Sequence, residues 1–428
     1  MVGKNHKTTN MKEAFLYYLW ENRLITGTLN TIEGQAVEIV QTGYRNQNSG
    51  PDYLEAKIKI DGEIWAGHVE IHVKTSDWNR HGHQNDKAYR NVILHVVYEH
   101  DATVNEIPTL SLKGHFDERL FEQYEQFLAS KNWIPCQRDL HCVNPLTRLS
   151  WMERMAVERL ETKEDYVTRI AKSCQFDWED VFYRLMMRYF GMKVNNEAFE
   201  TLAAFLPYKI LRKHADNLTQ LEAMLIGYAG FLEHPFKEAY PQLLQREFIA
   251  MRAKFNLSVM PSSQWRYMRM RPVNFPTVRL AQLAMMIHQH NNPFSNVKEA
   301  SNANEVKSLF NVTASNYWDS HYRFETSTEP KPKHLGEATA DVLLINAVVP
   351  LLFCYGKAHK EATYCEKALR FLEETAAEVN SITHNFTASG MRAQNAMHSQ
   401  AQLHLYQQYC RRKRCLECQI GNVLLRSS

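Results

Sequence analysis

Residues 48–101, NSGPDYLEAKIKIDGEIWAGHVEIHVKTSDWNRHGHQNDKAYRNVILHVVYEHD, carry most of the chemistry in the chain and decide how its first part folds. Gly50-Pro51-Asp52 closes a loop and delivers a carboxylate just before the alternating run Tyr53–Ile60. Asp61-Gly62 then reads as a tight hairpin turn, because Asp-Gly accepts positive φ at both central positions. The returning strand runs from Ile64 to Lys74, with Val69, Ile71 and Val73 on one face and Glu70, His72 and Lys74 on the other. Two carboxylates and nearby bases on adjacent strands suit a divalent metal ion, magnesium or manganese, and a metal-activated water. The expected roles are metal ligation by Asp52 and Glu70. Lys74 or His72 would orient the water or stabilise developing charge.

The neighbouring sequence extends this element in both directions. Glu13–Leu24 has apolar residues at helical spacing, with Asn10 or Thr9 as cap, and Glu13 or Glu21 could add an acidic group to the site. Gly34–Tyr44 alternates as a first strand. After the hairpin, Thr75–Gln84 is a loop and Asp86–Asn91 a short helix or helical turn. Val92–Tyr98 is almost continuously apolar, as in a strand buried on both faces, and Pro108–Leu112 is a short edge strand. The loop residues Trp78, His81 and His83 are expected to contact substrate above the strand ends. Histidine also favours manganese, iron or zinc over magnesium, so if His72 or His83 joins Asp52 and Glu70, the centre becomes an Asp/Glu/His site with a wider range of chemistry. His68 and His95 read more simply as satisfied sheet residues.

The order helix, strand, strand, strand, helix, strand, with Pro51-Asp52 and Glu70 in place, resembles the PD-(D/E)XK nuclease-like core. The resemblance implies metal-dependent cleavage of phosphodiester bonds. Glu70-Ile71-His72 departs from it by placing histidine where that family has lysine; Lys74, two residues on, lies on the same face. Across its length the chain also resembles a bacterial family, domain of unknown function 2851, in NSGPDYLEAKI, GHVEIHVKTSDWNRHGH, VILHVVYEHD, RPVNFPTVRLAQLA and the terminal YCRRKRCLECQIGNVLL.

Composition bounds the rest. The 428 residues are 44% hydrophobic and 23% charged, enough for two domains and a substantial core. A net charge of +3 leaves any polyanion site to a local patch. No apolar run approaches the ~20 residues of a membrane span, and MVGKNHKTTNMKEAF lacks the apolar core of a signal peptide, so a cytoplasmic protein without membrane association is expected.

From Glu118 onward strand signals nearly vanish, and helices are predicted through to a last long one over Ala388–Arg412. Glu329–Gly336, with two prolines, reads as a linker. The fold class is α+β: a nuclease-like α/β domain over residues 1–130 and a helical domain over 131–428. Within the latter, Trp265–Arg279 interleaves aromatics with Arg266, Arg269 and Arg271, a composition suited to nucleic-acid backbone and stacked bases, or to a turn with buried aromatics. Cys410, Cys415 and Cys418 crowd a basic segment expected to lower their thiol pKa, and Cys136 or Cys142 could supply a fourth ligand. Some nucleases of the resembled superfamily close an iron–sulfur cluster with one distant cysteine and three near the C-terminus, at a different spacing. Packed, free thiols at a helix end are the expected arrangement, because three clustered cysteines fall short of a full ligand set, with zinc or such a cluster as the alternative.

The expected function is metal-dependent hydrolysis of DNA or RNA, with nucleic acid as partner. The alternatives are an inactive nuclease-fold binding module for nucleic acid or protein, and a metal hydrolase of a small substrate.

Overall fold

The computed structural model describes residues 11–104 and 107–427. The chain forms two compact units, one of Met1–Arg148 with Tyr406–Ser428 and the other of Leu149–Leu405. The division falls later than residue 130, and the last segment joins the sheet-bearing unit rather than the helical one. The reason is the amphipathic helix Gln419–Arg426, which buries Ile420, Leu424 and Leu425 and packs on Glu118–Ala129.

The first unit begins with α1 (Glu13–Glu21), which buries Phe15, Leu16, Tyr18, Leu19 and Trp20. The expected caps Thr9 and Asn10 lie outside the described residues; Lys12 stands at the N-cap without a side-chain bond. The strands are β1 (Leu29–Asn30), β2 (Ala36–Gln41), β3 (Tyr44–Arg45), β4 (Tyr53–Ile60), β5 (Glu63–Lys74), β6 (Val92–Glu99) and β7 (Thr109–Ser111). They form a mixed sheet in the order β1-β2-β4-β5-β6-β7, with β3 alongside the start of β4. β2, β4 and β5 are an antiparallel meander, whereas β6 is parallel to β5 and β7 parallel to β6.

The β4–β5 turn is as expected: Asp61 has φ 48° and Gly62 φ 92°. Asp61 Oδ1 also accepts from Ala36 N–H at 2.8 Å, tying the turn to β2. Between β5 and β6 the chain makes only the short α2 (Asp77–Arg80) and two 3₁₀ turns, His83–Asn85 and Lys87–Tyr89. Gly67 lets β6 approach: a Cβ there would lie 2.5 Å from Ile93 Cγ2 and 2.6 Å from Asn91 O. β7 is not a bare edge, because Thr31 bridges Leu110 and Ile32 N–H donates to Thr109 O at 2.8 Å.

The second unit is helical apart from the small hairpin His321–Arg323 with Thr326–Ser327. The single helix expected over Ala388–Arg412 is broken. Ser381–Ala388 ends before Gly390, at φ 82°, and Asn395 caps a new helix, Ala396–His404, which runs into the π-helical Leu405–Cys410. Residues 329–336 are not an interdomain linker: Lys333 is buried, its Nζ donating to Asp319 O and Lys331 O, and Gln282 Nε2 donates to Lys333 O. Contrary to expectation, one stretch, Glu337–His359, is long and apolar enough by length and composition to cross a membrane; most of its apolar portion is buried inside the unit, the position of a core helix.

Candidate metal centre

Two carboxylates are locked together where β4 and β5 meet. Asp52 N–H donates to Glu70 Oε2 at 3.0 Å, and Ile71 N–H donates to Asp52 Oδ2 at 3.0 Å. A bulge in β4, marked by Glu55 at φ 57°, shifts the register between Tyr53 and Ala56, so that Tyr53 pairs with Val69 and Asp52 lies beside Glu70. Asp52 Oδ1 accepts from the Tyr17 hydroxyl at 3.0 Å, a contact from α1. Burial raises the Asp52 carboxyl, while the bonds from Ile71 and Tyr17 pull it back. Glu70 is only 4% exposed. Burial first, and then the charge of Asp52, push its carboxyl up to about 8.

Three imidazoles gather on the other side of Glu70. His72 Nε2 and His83 Nε2 each lie 3.4 Å from Glu70 Oε1. His81 Nδ1 is 3.2 Å from His72 Nε2, and the ligand atoms of His72, His81 and His83 all lie within 4.8 Å of one another. Burial holds His72 down at about 3, with the surrounding imidazoles reinforcing the shift; burial also lowers His83. The ring of His83 is clamped between Tyr89, stacked at 3.8 Å, and His72, stacked at 5.3 Å. Its Nε2 is buried and makes no hydrogen bond among the described residues. An orphaned imidazole nitrogen beside a carboxylate and two further imidazoles is a donor set that fits a divalent cation.

The sequence-expected residues divide. Asp52, Glu70, His72, His81 and His83 come together. Lys74 does not join them through any described contact: it pairs across the parallel register with Glu99, Nζ to Oε2 3.6 Å, and is half-exposed. Trp78 is buried, packed edge-on against His83 and Tyr89, and so forms the floor of the site rather than a substrate contact. Of the two α1 acids, Glu13 feels both Asp52 and His81, whereas Glu21 accepts from Tyr53 and Arg45. Sequence reasoning missed Tyr17 and His95. Tyr17 stands one helical turn from Glu13, and that spacing was the available signal. His95 pairs with Glu70 in the β5–β6 register and its Nε2 lies 3.0 Å from His72 Nδ1. Its sequence context is that of a satisfied sheet residue, yet its Nδ1 is buried with no partner among the described residues.

Cys136, Cys410, Cys415 and Cys418 all belong to the first unit, and their thiols act on one another electrostatically. Cys142 is exposed, with its Sγ 3.4 Å from His141 Nε2. The expectation of lowered thiol pKa values is reversed. Burial drives Cys136 and Cys410 well up and Cys415 to about 12, the neighbouring cysteines add to this, and Lys413 offsets only part of it at Cys415. Desolvation outweighs the basic neighbours because those side chains point outward: Arg411, Arg412 and Lys413 are exposed.

Arg266, Arg269 and Arg271 are exposed on the second unit. Trp265, expected to interleave with them, is buried and donates from Nε1 to Ala229 O at 2.8 Å. Tyr267 is covered by Arg323, 3.9 Å from its ring centre, and Arg279 is buried in bonds to Gln282, Asn274 and Thr339. The aromatics of this segment are thus engaged inside the unit.

No curated protein and no solved structure matches the chain. A family profile matches residues 13–381, which takes in the whole candidate site and stops short of the terminal cysteine segment. The chain belongs to the family described as Protein of unknown function (DUF2851).

Proposed function

We propose that the protein is a metal-dependent phosphodiesterase acting on DNA or RNA. The observation that carries this reading is the Asp52–Glu70 pair at the mouth of an antiparallel hairpin, with His72, His81 and His83 converging on Glu70. Support also comes from the order of elements, α1 and the meander β2, β4, β5 before the parallel strand β6, although only the four-residue α2 and two 3₁₀ turns stand where the resembled core has a helix. In this reading Glu70, His72, His81 and His83 hold the cation, and its histidine-rich donor set favours zinc, manganese or iron over magnesium. A bound cation would supply Lewis-acid activation of water and of a phosphoryl oxygen. Tyr17 fixes the rotamer of Asp52, whose half-buried carboxylate orients the attacking water and takes its proton. Trp78 and Tyr89 exclude bulk water from the imidazoles.

Lys74 supports a second reading, an inactive nuclease-fold module that binds nucleic acid: the one lysine on that face of β5 is engaged with Glu99. Cleavage of labelled single- and double-stranded DNA and RNA, with magnesium, manganese or zinc, separates the two. Cutting by the wild type that Asp52→Ala and Glu70→Ala both abolish supports the phosphodiesterase. A folded wild type that binds the strands and cuts none of them with any metal would leave the module.

We also propose a second metal at Cys136, Cys410, Cys415 and Cys418, zinc or an iron–sulfur cluster. A bound cation would favour the thiolates that burial disfavours, and would staple the terminal segment to the turns around Cys136.

A further inference from the structure

A cavity of about 440 Å³ opens in the first unit between α1, the helix Glu118–Ala129 and residues 411–417. Six cationic side chains line it: Lys12, Arg45, Arg411, Arg412, Lys413 and Arg414. Only Glu21 and Glu417 oppose them. In a chain whose net charge is +3, six cations against two carboxylates make this concave place a local positive patch.

Three of the cations are engaged in building the wall. Arg45 pairs with Glu21, Arg414 with Glu417, and Lys413 Nζ donates to Leu128 O. These contacts hold the 411–414 turn, in which Lys413 sits at φ 54° and Arg411 N–H and Arg414 N–H donate back to Tyr406 O and Tyr409 O. Lys12, Arg411 and Arg412 are left exposed, with no ion pair or side-chain hydrogen bond among the described residues. Unpaired cations presented from a braced concave surface suit repeated phosphate groups.

The cavity also shares a wall with the metal centre. Ala14, Tyr18 and Glu21 of α1 face the cavity, while Glu13 and Tyr17, one position round the helix, serve the centre. Arg45 lies over the Tyr17 ring at 4.7 Å, and the hydroxyl of the same tyrosine bonds Asp52. An anion seated against Arg45 therefore lies one aromatic ring from the carboxylate pair.

We propose that this cavity is the strand-binding track of the protein: it takes successive backbone phosphates of a single nucleic-acid strand and leads the strand to the Asp52–Glu70 centre. The proposal rests on the phosphodiester reading of that centre, and binding can be tested without cleavage. The experiment is fluorescence anisotropy of a labelled single-stranded oligonucleotide with the full chain as purified, with no chelator and no added metal, across a salt series. The variants are Arg411→Glu/Arg412→Glu and the milder Arg411→Gln/Arg412→Gln. Thermal unfolding checks that each is folded.

The wild type should bind. The reversed pair should bind about tenfold or more weakly, with a salt slope shallower by about 1.4, the value for two lost phosphate contacts on a single strand. The neutralised pair should fall between. Loss of cleavage with intact, arginine-dependent binding would count against the catalytic reading and leave the track standing. Equal affinity and slope in wild type and both arginine variants would overturn the track. So would full displacement of the oligonucleotide by an equal concentration of pyrophosphate, the mark of a pocket for a small anion. Failure of the folded wild type to bind would overturn it as well.

Discussion

His95 Nε2 lies 3.0 Å from His72 Nδ1 inside the sheet, and this contact leaves the other nitrogen of His72 turned toward Glu70 and His81. The pairing resembles the outer partners of metal-binding imidazoles, which fix the tautomer and hold the ring in place. In the proposed metal site His95 is a positioning residue. Replacing it with alanine should weaken zinc or manganese binding by about 10- to 100-fold. His95→Gln, which keeps a hydrogen-bonding group, should recover part of the loss. Isothermal titration calorimetry of the two variants checks this, and equal affinities in wild type and His95→Ala would remove His95 from the centre.

The buried groups give the metal-free protein a defined pH dependence. The folded-state pKa of Glu70, about 8, lies above its ordinary 4.5, so its contribution is fully present below 4.5 and is lost as pH rises toward 8. His72 and His95, lowered to about 3 and about 4, contribute stability that is fully present above their ordinary 6.5 and is lost as pH falls. Below pH 6.5 the two histidines outweigh Glu70. Of the three, only Glu70 acts above it, removing about 2 kcal/mol from the first unit by pH 8, while Lys163 of the second unit, lowered by burial to about 7, acts in the opposite direction there. Glu70→Gln should flatten that fall and melt higher than wild type at pH 8, while losing the stabilisation that added metal gives. Chemical denaturation at several pH values reads both effects.

Tyr17→Phe removes the hydroxyl that lowers the Asp52 carboxyl without opening a cavity. Its pKa should rise, moving the acid limb of the pH–rate profile to higher pH. The rate on the plateau should fall by about tenfold as Asp52 loses its orientation. A plateau change with an unmoved limb would mean that the hydroxyl acts elsewhere.

The cysteine site predicts a difference between two neighbours in sequence. Cys136→Ser should lower the zinc, or the iron and acid-labile sulfide, that copurifies with the protein, and should reduce thermal stability by several degrees. Cys142→Ser should leave both as they are. Elemental analysis of anaerobically purified protein decides it, and identical metal content in the two variants would remove the site.

The hairpin was legible in the sequence because its determinants are local. Period-two alternation set the faces of β4 and β5, and Asp61-Gly62 set the turn, which the backbone confirms with positive φ at both residues. The same local logic misplaced Lys74: sharing a face with Glu70 says nothing about which partner a flexible side chain finds, and Glu99, opposite it in register, was nearer. The Ala388–Arg412 helix failed for a related reason, since helical spacing persists across Gly390 while the backbone there turns left-handed.

By itself the sequence determined a mixed α/β part followed by helices, and the grouping of Asp52, Glu70 and His72 on one hairpin, because alternation, turn chemistry and short spacing are properties of adjacent residues. Only the tertiary structure decided that His81 and His83 fold back onto Glu70, and that His95 and Tyr17 brace the centre from a parallel strand and a helix. Only it brought Cys136 and the terminal cysteines into one unit. Those outcomes depend on the register of β5 with β6 and on the packing of α1 and the terminal helix. Both are set by burying apolar faces contributed by residues far apart in the chain, a sum that no local pattern contains.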